Sequence, residues 1–223
     1  MTKGWMVWPL IVGGALQGGC LYWDMTARVP PHHVVARDQR ATGALAVVLE
    51  RPFVDVRPQP NRCGMKKVRH ETASVFCEAP PNVWLADMLE DDLRAAGVDV
   101  YENAAPAGGD AVTIAVVLTQ FFVEPEVWGE PAFPWYAQEH QPEADIGLRL
   151  TARNRAFVGD RRLYVKGLGV HTDGLDSNYQ LAIDDAVDKA LAAAVTAIVD
   201  LVAHPPSAPA EPCRERSPAT PPG

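Results

Sequence analysis

The sequence predicts an α+β fold of two layers, in which two helices cover one face of a largely antiparallel sheet of four to five strands. Two segments, at 82–97 and 177–203, repeat apolar residues at helical spacing and predict the helical layer. Several extended segments alternate apolar and polar residues, which is typical of a sheet with one wet face. The predicted element order is β-α-β-β-β-α, with three or four strands between the helices.

The first half of that order follows from β-strand propensity and from the residues that interrupt or end elements. Residues 44–57, rich in Val and Leu, predict the first strand, with Pro52 at an edge or a bulge. A loop and a short extended segment at 72–77 come next. Asn82 is the expected N-cap of the first helix, and Gly97 its end.

The second half is more regular. Strands are predicted at 98–102, 112–124, 145–155 and 162–171. The third of these alternates most cleanly, with one apolar and one arginine-rich side. Ser177 and Gln180 have the spacing of a capping box, which predicts the start of the last helix.

Composition places the chain among globular proteins. It has 223 residues, of which 48% are hydrophobic and 22% charged, and this fits one domain with additional tails. The formal net charge is −8. A chain this acidic does not predict a nucleic-acid partner.

The first twenty residues predict a lipoprotein signal. Lys3 is the single charge before an apolar run that is too short to span a membrane as a helix. The sequence at 16–20, Leu-Gln-Gly-Gly-Cys, resembles the lipobox of bacterial lipoproteins. That resemblance implies removal of a signal peptide at 1–19 and acylation of Cys20, with palmitate-like chains as a membrane anchor.

The rest of the chain divides into a body and two flanking segments. Residues 20–42 are predicted to form a lipid-anchored tether, 43–203 the α+β domain and 204–223 a Pro-rich disordered tail. Leu21 follows the lipidated cysteine where an Asp would signal inner-membrane retention. By analogy, this predicts the outer membrane, with the domain facing the periplasm.

The body resembles the YajG-type envelope lipoproteins over about 45–203. The resemblance is carried by Asp55-Val56-Arg57, the stretch 61–67, the helix at 83–97 with Val98-Asp99-Val100, the strand at 112–118 and the final helix. It implies an envelope lipoprotein with a compact α+β fold. It carries over no catalytic residue, and this chain departs from the family in Cys63, Cys77 and an insert near 125–142.

Two of the four cysteines predict a disulfide. Cys63 and Cys77 lie 14 residues apart in a chain expected to reach a compartment where disulfides persist. Two free thiols are the alternative. Cys213 is left in the tail, where it either pairs between chains or stays free.

No pattern predicts catalysis, a metal site or a cofactor. The six histidines lack the spacing of a zinc site, and no serine lies in a nucleophile turn. No glycine-rich phosphate loop precedes a helix. We therefore predict a protein that is not an enzyme.

A basic strand face is the first candidate surface. Its predicted members are Arg149, Arg153, Arg155, Arg162 and Lys166. Alternation places them opposite the core, where clustered arginines suit carboxylates and phosphates. An anionic lipid, a lipid A phosphate or an acidic partner fits such a face, and the alternative is a solvated face balanced by nearby acids.

An aromatic loop is the second candidate. The segment 124–142 joins two predicted strands and contains Trp128, Phe133, Trp135 and Tyr136. Such residues suit a protein partner or a membrane interface, or they fold back and cap the sheet edge.

These features together predict a non-enzymatic, lipid-anchored envelope lipoprotein. It would act as a binding or assembly module at the periplasmic face of the outer membrane, with an envelope protein as partner. The alternative function is binding of an anionic ligand or glycolipid on the basic face.

Overall fold

The structure, a computed structural model, describes residues 24–32, 34, 46–68, 71–104, 111–127, 140–154, 158–169 and 176–204. The predicted signal peptide, Cys20 and residues 205–223 of the predicted tail lie outside these residues. In chain order the elements are β1 (Met25–Ala27), β2 (Ala46–Leu49), β3 (Val54–Asp55), β4 (Arg62–Val68), β5 (Glu71–Cys77), α1 (Pro81–Ala95), β6 (Asp99–Glu102), β7 (Ala111–Val127), β8 (His140–Arg153), β9 (Val158–Leu168) and α2 (Asp176–Ala203).

The long strand β7 organises the sheet. It has 17 residues, and β8 pairs with it antiparallel along most of its length. Strand β9 continues antiparallel beyond β8. On the other side of β7, the short strands β2, β3 and β4 pair with it in parallel, one after another along its length. Strand β6 extends the sheet next to β2, and β5 and β1 extend it next to β4.

The prediction of a largely antiparallel sheet of four to five strands was wrong. The described residues form a mixed sheet of nine strands, in which five pairs of neighbouring strands are parallel. The element order also differs, because five strands rather than one precede α1. Alternation of apolar residues reports which face of a strand is buried, but it does not report the neighbour or its direction.

Two short strands account for much of that difference. The predicted strand 44–57 is divided into β2 and β3, and Pro52 lies between them, where its missing N–H cannot interrupt a ladder. Strand β1 lies inside the segment predicted to be a tether. It pairs in parallel with β5, with Met25 opposite Val75.

One face of the sheet forms the core, and both helices pack on it. Ile114 and Leu118 of β7 and Ile146 and Leu150 of β8 are fully buried there. Buried apolar residues of both helices, such as Leu89 and Ile183, belong to the same cluster. The predicted α+β class with two helices is therefore confirmed. Neither helix combines the length and apolarity needed to cross a bilayer.

The helix starts differ from the sequence-based assignments. Pro80, not Asn82, is the N-cap of α1, and the Asn82 side chain donates a 2.8 Å hydrogen bond to the Phe53 carbonyl. Gln180, assigned to a capping box, instead holds Arg28 next to β1. Its Oε1 accepts from the Arg28 N–H at 2.9 Å, and its Nε2 donates to the Arg28 carbonyl at 3.1 Å.

Candidate binding surface on the open face of the sheet

The sheet face opposite the helices, called the open face below, carries most of the predicted basic residues. The register of β8 and β9 places Arg149, Arg153, Arg162 and Lys166 on it. All four are exposed. Arg155, the fifth predicted member, lies outside the described residues.

Arg149 and Arg162 face each other directly across β8 and β9. Asp160 lies beside them and accepts a 2.6 Å bond from the Arg149 guanidinium. The Thr151 hydroxyl donates a second bond to Asp160 at 2.7 Å. These hydrogen bonds, from Thr151 first and then from Arg149, lower the pKa of Asp160 below its ordinary value of 3.8.

The other two cations also have acidic partners. Arg153 is bonded to the carboxylate of Glu50, the residue that comes directly after β2. The Lys166 ammonium donates to Glu143 at 2.7 Å, and this bond raises the pKa of Lys166. Three of these four cations are therefore paired with carboxylates, which corresponds to the balanced, solvated alternative for this face.

The open face also exposes apolar side chains. Tyr164 on β9 is 56% exposed. Its pKa is raised, first by partial burial of the hydroxyl and second by its hydrogen bond with the Asp145 carboxylate. Val54 and Val56 are each 57% exposed, and Val54 lies directly opposite Val117 of β7. The described part of this surface is thus a mixture of paired charges and exposed apolar groups.

A shallow cleft of about 410 Å³ opens beside the bulge of β7. Its lining residues are Arg57, Pro58, Gln59, Arg62, Thr119, Gln120, Phe121 and Phe122. Two arginines line it, but their guanidinium groups are engaged to different degrees. Among the described residues, Arg62 bonds Gly64 and Gln59 at the long distances of 3.3 and 3.4 Å.

Arg57 is bonded through every N–H of its guanidinium. It binds the Asp55 carboxylate through Nε and Nη2, with a shortest distance of 2.7 Å. Its remaining N–H groups donate to the carbonyls of Pro60, Phe121 and Arg62. The guanidinium also lies 5.6 Å from the centre of the Phe121 ring. Arg57 therefore fastens the loop before β4 to β7 and has no donor left for a ligand.

Sequence reasoning named Asp55 and Arg57 only as part of a family resemblance and missed this role. The available signal was their spacing. Residues two apart on an extended strand share a face, so an Asp and an Arg there can form a bidentate pair. Nothing local revealed that the pair would be buried, which depends on β7 packing against it.

The predicted disulfide is present. Cys63 in β4 and Cys77 at the end of β5 are bonded, and their Cα atoms lie 5.4 Å apart. The bond joins the two strands of an antiparallel hairpin near its open end. It lies on the same side of β7 as the Arg57 pair. Cys213 lies outside the described residues.

The aromatic loop residues Trp128, Phe133, Trp135 and Tyr136 lie outside the described residues. What the structure describes is where that connection begins and ends. Val127 and His140 pair with each other at the last rung of the β7–β8 ladder. The connection is therefore the hairpin link between the two longest strands. Within the described ranges, no group of three His, Cys, Asp or Glu residues is arranged to hold a metal ion.

Comparison with known proteins shows likeness in structure. No family model and no curated protein matches the chain by sequence. The crystal structure of protein XCC0632 from Xanthomonas campestris, of family model DUF330, superposes with a TM-score of 0.57 at 14% identity and covers 78% of this chain and 95% of that one. This similarity shows a shared fold.

Two weaker structural matches were also found. One is an uncharacterized protein with a TM-score of 0.46 and 12% identity, covering 79% of this chain and 98% of that one. The other, from Helicobacter pylori, is described as a homologue of a neuraminyllactose-binding hemagglutinin, with a TM-score of 0.42 and 10% identity over 74% and 88% of the two chains.

Proposed function

We propose that this chain is a non-enzymatic, lipid-anchored envelope lipoprotein of the YajG type that acts as a binding or assembly module. The observation that carries the proposal is the Leu-Gln-Gly-Gly-Cys sequence at 16–20, followed within five residues by the first strand of a folded domain. A signal of this kind delivers the chain to the envelope and anchors it through Cys20. We place it at the outer membrane, facing the periplasm.

The fold supports a binding role. Protein XCC0632 from Xanthomonas campestris, of family model DUF330, shares this fold. The open face offers a broad surface and a shallow cleft, and broad surfaces suit macromolecular partners better than small substrates.

The chemistry of the open face favours an envelope protein as the partner. Exposed Tyr164, Val54 and Val56 provide apolar contact area. The paired charges around them provide a polar rim that supports specificity without a strong field of one sign.

The anchor is tested by replacing Cys20 with Ser. The variant should lose acylation and leave the membrane fraction, because no other part of the proposal supplies a durable anchor. The matched control is Cys213→Ser, which should fractionate as the unmodified protein does. A Cys20→Ser protein that stays with membranes after a high-salt wash would refute the proposal.

A second candidate function rests on Arg149 and Arg162. Like charges directly opposite each other destabilise a strand pair, and Asp160 supplies only one carboxylate for two guanidinium groups. A phosphate-bearing glycolipid would relieve that repulsion. The double variant Arg149→Ser, Arg162→Ser of the unacylated domain should then lose binding to vesicles containing lipid A, while Arg94→Ser, far from this face on α1, should not.

A further inference from the structure

We infer that one end of the sheet faces the lipid bilayer and that the other end is held away from it. This rests on the proposed lipid anchor and specifies how the anchored domain is oriented. The membrane-facing end, called the anchor end below, is where β7 finishes, β8 begins and α2 starts. The opposite end, called the distal end, contains the start of β7 and the end of α2.

The direction of β1 assigns the anchor to one end. Strand β5 is antiparallel to β4, which is parallel to β7, and β1 is parallel to β5. Strand β1 therefore runs opposite to β7. Through these registers Met25 lies level with Val123, so the residues before Met25 lead towards the end at which β7 finishes.

The chain between the anchor and the fold is short. Three residues lie between Cys20 and Asp24, so this leash of four Cα–Cα steps spans at most about 14 Å. By comparison, α2 has 28 residues and is about 42 Å long. The leash is thus much shorter than the domain, and the anchor end must remain close to the lipid to which Cys20 is attached.

The leash cannot lengthen by peeling from the sheet without losing several bonds. Asp24 accepts a 2.9 Å bond from the Ser74 N–H, and Met25–Ala27 pair with β5. The Ala27 carbonyl accepts from the Glu78 N–H at 2.8 Å. Both backbone groups of Arg28 are held by Gln180. The first residues of the domain are therefore fixed to both the sheet and α2.

The start of α2 lies at the same end. The Lys66 ammonium donates to Asp176 at 2.7 Å, and the Lys67 N–H donates to the buried Tyr179 hydroxyl at 2.9 Å. These bonds join the first turn of α2 to β4 near its end. At the other terminus of the helix, Arg161 of β9 lies 4.0 Å from Asp200. The helix therefore runs from the anchor end to the distal end.

The composition of the anchor end suits a lipid surface. Leu168 at the end of β9 and Leu181 in the second turn of α2 are each 47% exposed. Both side chains offer apolar surface to a bilayer at that end.

The experiment compares two positions on one helix. Ser177 and Ala203 are both exposed, at opposite ends of α2, and are about 39 Å apart along its axis. In the lipidated full chain with Cys213→Ser, Ser177→Cys or Ala203→Cys is labelled with a fluorophore. The protein is reconstituted into phosphatidylcholine vesicles that carry a contact-range quencher on the lipid headgroups. We expect strong quenching at position 177 and little at 203.

Three results would overturn the orientation. Equal quenching at both positions would mean that the domain lies along the membrane, stronger quenching at 203 would mean that it is inverted, and no quenching at either would mean that the leash does not hold it close. Flotation of the same vesicles separates the two proposals. Protein that does not float refutes the anchor, whereas protein that floats with the wrong quenching pattern refutes only the orientation.

A second pair of labels guards against a local disturbance of α2. Thr72 in β5 lies towards the anchor end, and Val158 at the start of β9 lies at the distal end; both are exposed. Thr72→Cys should repeat the quenching at 177, and Val158→Cys should repeat the result at 203. Disagreement between the two pairs would count against the orientation.

Discussion

On one side of β7, strands β8 and β9 form a continuous antiparallel meander. On the other side, the short strands β2, β3 and β4 pair one after another with successive parts of β7. The meander has ladders of 14 and 11 residues in β8 and β9. The three strands on the other side have four, two and seven residues.

The short strands are held in place by a few individual side-chain interactions. Arg57 joins Asp55 to β7, and the Cys63–Cys77 bond closes the β4–β5 hairpin. Arg51, between β2 and β3, is bonded to the buried Glu90 of α1 at 2.6 Å. The meander has many equivalent rungs, so the loss of a single side chain matters little there. We therefore expect single substitutions to lower the free energy of unfolding more on the side of the short strands than in the meander.

The largest expected effect comes from Arg57→Met. The variant leaves the Asp55 carboxylate and three carbonyls without their donor in a buried place, and breaking a buried ion pair costs about 3–5 kcal/mol. Urea denaturation measures this loss in the free energy of unfolding. Arg62→Met is the matched control and should cost less than about 1 kcal/mol. Equal losses in the two variants would show that the bonds of Arg57 do not stabilise the short-strand side.

Removal of the disulfide should have the next largest effect. In the chain-entropy model, closing a loop of this size is worth about 3 kcal/mol. The double variant Cys63→Ser, Cys77→Ser should lose about that much in urea denaturation, and Cys213→Ser should lose nothing. If the double variant unfolds at the same urea concentration as the unmodified protein, the bond does not support the short-strand side.

Much smaller effects are expected on the meander. The triple variant Arg149→Ser, Arg153→Ser, Arg162→Ser removes two exposed ion pairs and one like-charge contact. Exposed pairs contribute about 0.2–1 kcal/mol each, so the loss should stay near 1 kcal/mol. Urea denaturation in low and high salt checks this, and any loss should shrink in high salt. A loss as large as that of Arg57→Met would invalidate the comparison.

The smallest effect concerns two carboxyl groups. Hydrogen bonds lower the pKa of Asp160 on the meander, whereas burial raises the pKa of Asp184 on α2, with the Gln180 bond opposing the rise. Asp160 should therefore stabilise the fold at neutral pH, and this contribution is lost as the pH falls through its folded pKa. Asp184 should favour the fold at low pH, and this contribution is lost as the pH rises through its folded pKa.

Carboxyl NMR titration tests these directions. Asp160 should titrate below 3.8 and Asp184 above it. Thr151→Val should move the Asp160 midpoint upward, since it removes the first cause of the shift. Midpoints in the reverse order would contradict the hydrogen bonds assigned to both groups.

Several features followed from the sequence because they depend on local pattern. The two helices repeat apolar residues at a period that matches an α-helix, and β8 alternates at the period of a strand. The cysteine pair could be predicted from spacing and compartment alone. The shared face of Arg149 and Arg153 also follows from a period of two, whichever strand is the neighbour.

The acids that neutralise the open face could not be predicted in that way. Asp160 is close in sequence to Arg149, but Glu50 lies 103 residues from Arg153. Nor could β1, three residues long, be recognised in the predicted tether, since a strand that short has no period of its own. It exists because β5 offers it an edge.

The sequence by itself thus determined the helical layer, the wet face and the disulfide, because each is encoded in a local pattern or a spacing. Only the tertiary structure decided which strands are neighbours, that Arg57 is buried and fully bonded, and that Arg28, just after β1, is bonded to Gln180 near the start of α2. The reason is that pairing, burial and direction depend on contacts between residues far apart in the chain, and a 17-residue strand such as β7 can accept several neighbours in several registers.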